Sequence, residues 1–216
     1  YSGSLTDITL PSDIEGHDYE IYDYAFDSNT TIEHVEIPDG VTRIGGYAFS
    51  GCSSLKSVEM ADSVTYIGMN AFAACTALDR INLSENIDSI YYCTFDTCTS
   101  LTSLVIPKNV TTVIDGAFDS CYNLVLYNLS DVPLNRTAGN AGYDVFRIYT
   151  STAQNTVSVT DDGFVTFANE DTGDYYLLGY EGEDTDIMLP ADIAGHDYIV
   201  NDYVFYHNDD IESVTV

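Results

Sequence analysis

Five cysteines are the residues of this chain best suited to chemistry, and four of them keep a fixed interval. Cys52, Cys75, Cys98 and Cys121 stand 23 residues apart (75 − 52, and so on). A thiol can ligate a metal, pair with another thiol, or attack as a thiolate. Zinc sites and dithiol redox pairs place their cysteines only a few residues apart, so this spacing suits neither. A chain that returned on itself once per interval would bring neighbouring rungs near disulfide range. Yet Asn29 and Asn208 hold the same position in the first and last copies. Asn and Cys share an ability to sit at a buried turn and bond to the main chain. The four are therefore expected to be structural, reduced thiols. Cys93 stands apart, two residues before Phe95, where other copies carry Tyr24, Tyr47 and Asn70. That variable position is expected to be exposed, and no His lies beside it in sequence to activate it.

The remaining reactive residues read as turns. His17 and His196 occur in the same "GHDY" tetrapeptide, where the Gly-His pair suits a turn between two sides of a coil. His34 and His207 are isolated. The acidic stretches at 160–162, 169–174 and 181–186 invite calcium, which wants six to eight oxygens from a shaped loop. None matches a known calcium loop, and solvated turns are the expectation. Five N-x-S/T sequons (Asn29, Asn82, Asn109, Asn128 and Asn135) follow from Ser/Thr-rich repeats. Nucleotide-binding Gly loops, G-x-S-x-G and H-E-x-x-H do not occur. The reading is no enzyme, no cofactor and no metal site.

Charge excludes whole classes of partner. The 216 residues carry 35 acidic and 6 basic side chains, a net charge of −29. Neutralising nucleic-acid phosphates takes clustered Lys and Arg, so DNA and RNA are excluded. Anionic membrane surfaces are disfavoured for the same reason. No apolar run is long enough for a membrane-spanning helix, so no insertion is expected. Such acidity suits solubility in an exposed, often extracellular setting. The chain starts at Tyr1 without a signal peptide and reads as a piece of something longer.

The interval that spaces the thiols runs through every apolar class. Phe26, Phe49, Phe72, Phe95 and Phe118 are each 23 apart (49 − 26, and so on). Ile32, Leu55, Leu78, Leu101 and Leu124 follow in phase. So do Val35, Val58, Ile81, Leu104 and Tyr127, then Val41, Val64, Ile87 and Val110, then Ile44, Ile67, Ile90 and Val113. A period in this range marks a solenoid whose coils bury their apolar sides only by stacking. In "LKSVEM", Leu55, Val58 and Met60 are expected inward, with Lys56, Ser57 and Glu59 outward. "SVTYIG" turns Val64 and Ile67 in on a second side, and "NAFAAC" returns Phe72 to the axis.

The segment "IPDGVTRIGGYAFSGCSSLKSVEM" at 37–60 closely resembles the BspA-like class of leucine-rich repeats. That class occurs in surface and secreted proteins of gut and oral bacteria and some protists. The resemblance covers roughly 1–130 and 185–216. It implies a mainly β, leucine-rich-repeat solenoid, and a surface or secreted protein that contacts host matrix or glycoproteins.

The register fails after Leu129. Val157 and Val159 alternate, Asp162-Gly163 signals a turn, and Val165 and Phe167 alternate on the return, so a short β-hairpin or meander is expected at 155–180. Then "DITLPSDIEGHDYEIYDYAF" at 7–26 recurs as "DIMLPADIAGHDYIVNDYVF" at 186–205, an offset of 179 (186 − 7). Tyr1 and Gly3 align with Tyr180 and Gly182 at the same offset. The expected organisation is a first array at 1–130, an irregular connection at 131–154, a β-hairpin cap at 155–182, and a second, truncated array at 183–216. The cap of the first array would then precede Tyr1, and cut ends would make end-to-end self-contacts.

Outward strand positions line up in columns: Glu33, Lys56, Asp79 and Thr102; His34, Ser57, Arg80 and Ser103; Glu36, Glu59, Asn82 and Val105. Solenoids commonly bind through such a face, although this one lacks the aromatic and Arg anchors of hot spots. Thr42, Thr65 and Thr111 form a row on the other side, beside Arg43 and Tyr66. Two functions follow: an adhesion module for an unidentified protein or glycoprotein, or a structural spacer with no ligand of its own.

Overall fold

A computed structural model describes residues 5–135, 140–142, 144–151, 155–169, 172–180, 182, 184–200 and 211–215. Tyr1, Gly3, His207, Asn208 and residues 170, 171, 181 and 183 of the acidic stretches lie outside these. The described residues form strands and turns, with no α-helix among them. The chain divides into two compact units, residues 1–148 and 149–216.

In the first unit the strands are β1 (Asp7–Thr9), β2 (Tyr19–Ile21), β3 (His34–Ile37), β4 (Val41–Ile44), β5 (Ser57–Met60) and β6 (Tyr66–Ile67). They continue as β7 (Arg80–Ile81), β8 (Ser89–Ile90), β9 (Ser103–Ile106), β10 (Thr112–Val113) and β11 (Val125–Asn128), and β12 (Arg147–Thr150) spans the boundary of the two units. Each coil contributes one strand to each of two sides. On one side the order is β1-β3-β5-β7, followed by β9-β11-β12; on the other it is β2-β4-β6, then β8-β10. Neighbouring coil strands run parallel, because every coil travels the same way round.

The repeat sets the register. Val35 pairs with Val58, Val58 with Ile81, and Ile44 with Ile67, each one period on. Like residues therefore sit on one another, and Ile32, Leu55, Leu78, Leu101 and Leu124 are buried throughout. The Phe rings form a spine with centroids 4.8, 5.4, 5.6 and 5.6 Å apart and planes within 4° of parallel. Offset-parallel rings at this separation interact favourably beyond their burial. The spine ends beneath Gly142, whose backbone lies so near the Phe118 carbonyl that a Cβ would sit 2.7 Å from its oxygen. Ala141 and Val145 join the same core.

Three sequence expectations need correction. Ser57 does not point into solvent: it is buried, with Oγ 2.7 Å from His34 Nδ1 on the neighbouring strand. Cys93 is also buried, at 8% exposure. In the last coil the residue paired with Leu104 is Leu126, not Tyr127. That coil is one residue short (126 − 104 = 22), and alternation through Leu124 and Leu126 keeps both inside.

Two left-handed positions recur around each spine Phe. Tyr24, Tyr47, Asn70, Cys93 and Gly116 precede it by two residues; Ser28, Gly51, Ala74, Thr97 and Ser120 follow it by two. All have φ between 52° and 78°. These paired reversals swing the chain around the ring and let the Phe amide donate to the next coil, as Phe49 N–H does to the Ala71 carbonyl (2.8 Å).

The second unit holds β13 (Asn155–Val159), β14 (Phe164–Asn169), β15 (Asp174–Tyr180), β16 (Asp186–Met188), β17 (Tyr198–Val200) and β18 (Ser213–Thr215). β13, β14 and β15 form the antiparallel meander anticipated from alternation, and β17 adds to β15 in parallel. Gly163, at φ 81°, sits in the first turn, where its N–H donates to Thr160 O (2.8 Å). Phe164, Leu177, Tyr180, Ile187 and Ile193 make a separate core.

Candidate functional site

The ladder thiols are free and buried. Each donates to the carbonyl of the spine Phe one coil back: Cys52 to Phe26 (3.2 Å), Cys75 to Phe49 (3.1 Å), Cys98 to Phe72 (3.2 Å) and Cys121 to Phe95 (3.1 Å). Burial pushes Cys52 up to about 11 and Cys121 up to about 12, and raises Cys75 and Cys98 as well. A thiol held protonated is neither nucleophile nor ligand. In the first coil Asn29 holds the same position but bonds the other way, its Oδ1 accepting from the N–H groups of Thr31 (2.9 Å) and Ile32 (3.0 Å) in its own turn. Burial raises Cys93 too. Among the described residues, no group of three or more His, Cys, Asp or Glu could hold a metal ion.

The strand side brings Glu33, His34, Glu36, Lys56, Ser57, Glu59, Asp79, Arg80 and Asn82 onto β3, β5, β7 and their margins; Thr102, Ser103 and Val105 lie at β9, in the following sheet. Many of these groups bond to the next coil. Lys56 Nζ meets Glu33 Oε2 at 2.7 Å. That contact holds the Glu33 carboxyl below and the Lys56 ammonium above their ordinary values. Thr9 Oγ1 donates to Glu36 Oε2 (2.8 Å). Asn82 clamps the main chain of Met60, accepting its N–H (2.8 Å) and donating to its carbonyl (2.7 Å). Its amide stands in for a peptide group beside β7, which has only two residues where β5 has four.

The opposite side is built differently. Thr65 Oγ1 donates to Thr42 O and Thr111 Oγ1 to Asp88 O, both at 3.2 Å, so these rows are spent on the preceding coil. At the turn leaving this side, aromatic and long apolar side chains reach solvent. Tyr22 is 77% exposed, Tyr24 59%, Tyr92 55% and Met69 50%. Tyr24 and Tyr47 stack at 4.9 Å with planes 6° apart. Arg43 lies over the Tyr66 ring at 4.7 Å, and Tyr66 meets Tyr91 at 5.1 Å. Arg43 also faces Glu20 (3.6 Å) and Asp23 (3.7 Å). The signal available in sequence was the tyrosines within four residues before successive spine Phe residues, visible once that turn is known to face outward.

The comparisons agree with this geometry. A model of the BspA type leucine rich repeat region matches six copies across residues 19–141. Among solved structures, a leucine-rich repeat protein of T. pallidum is 31% identical with a TM-score of 0.56, over 59% of this chain and 60% of that one. This chain thus spans 60% of the length of that relative. A leucine rich cell surface protein from Faecalibacterium prausnitzii A2-165 is 24% identical with a TM-score of 0.50, over 100% of this chain and 67% of its own. At that identity the likeness shows the fold alone. None of the curated proteins matches. The matched copies, over more than half of the sequence, coincide with the stacked coils and their Phe and Cys ladders, and the chain belongs to the BspA-type leucine-rich repeat family.

Proposed function

We propose that this chain is a non-enzymatic binding module of a bacterial cell-surface or secreted protein, and that it holds a host or matrix protein or glycoprotein by its tyrosine-bearing edge. The observation that carries the reading is the exposure of Tyr22, Tyr24, Met69 and Tyr92 in the turns before spine Phe residues, together with Arg43 lying over Tyr66. Tyr and Arg dominate interface hot spots. The Tyr24–Tyr47 stack is ordered before any partner arrives, which lowers the entropy cost of binding. The surface setting is supported by the family, by the F. prausnitzii protein's description as a cell surface protein, and by the net charge of −29.

The test is surface-immobilised binding to fibronectin, fibrinogen, laminin and mucin, at low and high salt, with and without calcium. Tyr47→Asn installs the residue that Asn70 already places at that turn, whose φ of 55° Asn tolerates. Loss of about tenfold in affinity, about 1.4 kcal/mol, is expected for Tyr47→Asn with an unchanged fold. Glu36→Ala, Glu59→Ala and Arg80→Ala, on the strand columns, are expected to leave binding intact. The reverse pattern would move the site to the strand face.

One observation favours the spacer reading. Lys56, Ser57, Asn82 and Thr9 are all engaged with an adjacent coil, so much of the strand face is already spent on holding the stack. Absence of saturable binding across the panel would support it.

A further inference from the structure

The same opening coil occurs twice, and among the described residues a meander strand and a ring lie against the second copy alone. In both, a tight bridge joins Ile14 to His17 and Ile193 to His196. Asp13 Oδ1 accepts from Gly16 N–H (2.7 Å), as Asp192 Oδ1 does from Gly195 N–H (2.6 Å). Tyr19 OH donates to Pro11 O (2.6 Å), as Tyr198 OH does to Pro190 O (2.7 Å). Glu15 and Gly16 share left-handed backbone with Ala194 and Gly195. Both coils lie 27 residues from their first partner, Ile8 on Val35 and Ile187 on Val214 (35 − 8; 214 − 187). Over their described residues the two coils thus share the same bridge, turn and hydroxyl bond.

Their surroundings differ. β17 pairs with β15 through Tyr175↔Tyr198, Tyr176↔Ile199 and Leu177↔Val200. The ring of Tyr175 stacks on His196 at 4.2 Å. Phe164, Leu177 and Tyr180 bury Ile193 to 8% exposure. Its counterpart Ile14 is 52% exposed. β2 pairs only with β4, and among the described residues no strand lies on its other edge and no ring lies over His17.

We infer that the free edge of β2, with Ile14 and His17, is a docking site for an antiparallel β-meander of the 155–180 kind. The incoming third strand runs parallel to Tyr19–Ile21, in the register that β15 takes on β17. Its Tyr at the position of Tyr175 lies on His17, and its Leu at the position of Leu177 covers Ile14. The occupant is fixed by the matching coil in the same molecule, which already holds such a meander through this same surface.

The test inserts a second copy of residues 149–179 directly before Tyr1, which reproduces the spacing between Tyr180 and the second opening coil. His17 and His196 are then compared by ring-proton NMR shifts, and amide exchange is followed at Tyr19–Ile21. Docking is expected to move the His17 ring protons upfield toward the His196 values and to slow exchange at β2 by at least about tenfold. Putting Ser at the Tyr175 position and Asp at the Leu177 position of the added copy should abolish both effects. Unchanged His17 shifts and β2 exchange would overturn the inference, because the same segment is folded against β17 in the same molecule. A concentration-dependent His17 shift in the chain without the insertion would also overturn it, by naming a second copy as the occupant.

Discussion

The thiol of Cys98 donates to the carbonyl of Phe72, one coil back, at 3.2 Å. The same bond recurs at Cys52, Cys75 and Cys121. The ladder is thus a column of neutral side-chain donors tying turn to turn, and the sulfur atoms stabilise by staying protonated.

Alkaline pH should unlock that column. The folded pKa of Cys121 is raised to about 12 from an ordinary 9.0, by burial. Below pH 9.0 both folded and unfolded thiols are protonated, and the stabilisation is fully present. Above it the unfolded chain ionises first, so stability falls as pH rises through the folded value. The slope is at most about 1.4 kcal/mol per pH unit per thiol. Urea midpoints at pH 8 and pH 10.5 are expected to show the fall, and Cys121→Ser, which keeps a donor but does not ionise there, should lessen it by one thiol's share, the other three remaining. Equal slopes for parent and variant would contradict this.

Phe72→Ala should cost about 3–5 kcal/mol, because it opens a hole between two stacked rings in the middle of the spine. Phe26→Ala should cost less, since Phe26 is only half-buried where Phe72 is fully buried. Chemical denaturation of both variants checks the ranking, and a Phe72→Ala protein that melts like the parent would contradict the stacked-ring account.

Asn82→Asp should destabilise by about 1–3 kcal/mol, because a carboxylate cannot donate to the Met60 carbonyl that Asn82 Nδ2 now satisfies. Thr65→Ala should cost under about 1 kcal/mol, as its single exposed bond to Thr42 O is lost to water. If the two substitutions shift the urea midpoint equally, Asn82 is not a clamp.

Thr97 is a β-branched residue held at φ 61°, at the position that Gly51 fills two copies earlier in the series. Thr97→Gly should raise stability by about 1 kcal/mol through relief of that strain. A thermal midpoint at or below the parent's would show that the Thr97 hydroxyl bond to Asp96 Oδ1 (2.9 Å) outweighs the backbone.

The stacking was legible because 23-residue periodicity forces every apolar class into register, as Val58 over Val35 shows. Ser57 was misread because alternation alone cannot see that the neighbouring His34 folds over it. Cys93 was misread for a related reason: variability among Tyr, Asn, Cys and Gly at that turn reflects a left-handed backbone, not solvent. The short last coil escaped because a one-residue deletion leaves Leu126 and Tyr127 both apolar and both buried. Along β3, β5 and β7 the register follows the repeat, with His34 beside Ser57 and Ser57 beside Arg80. Their engagement with one another, and the greater exposure of the tyrosine edge, depend on side-chain reach that no periodicity encodes.

The step that carries Phe49 onto Phe72 also carries Cys52 onto Cys75, and with it the carbonyl each thiol bonds. Bonding partners therefore move with the coil that needs them. A whole coil can be removed or duplicated between Phe49 and Phe95 and every junction is remade with like residues, whereas an insertion of any other length breaks all of them at once. Length in this molecule is a quantised variable, adjustable in increments of one ring step, 5.4 to 5.6 Å along the inner spine.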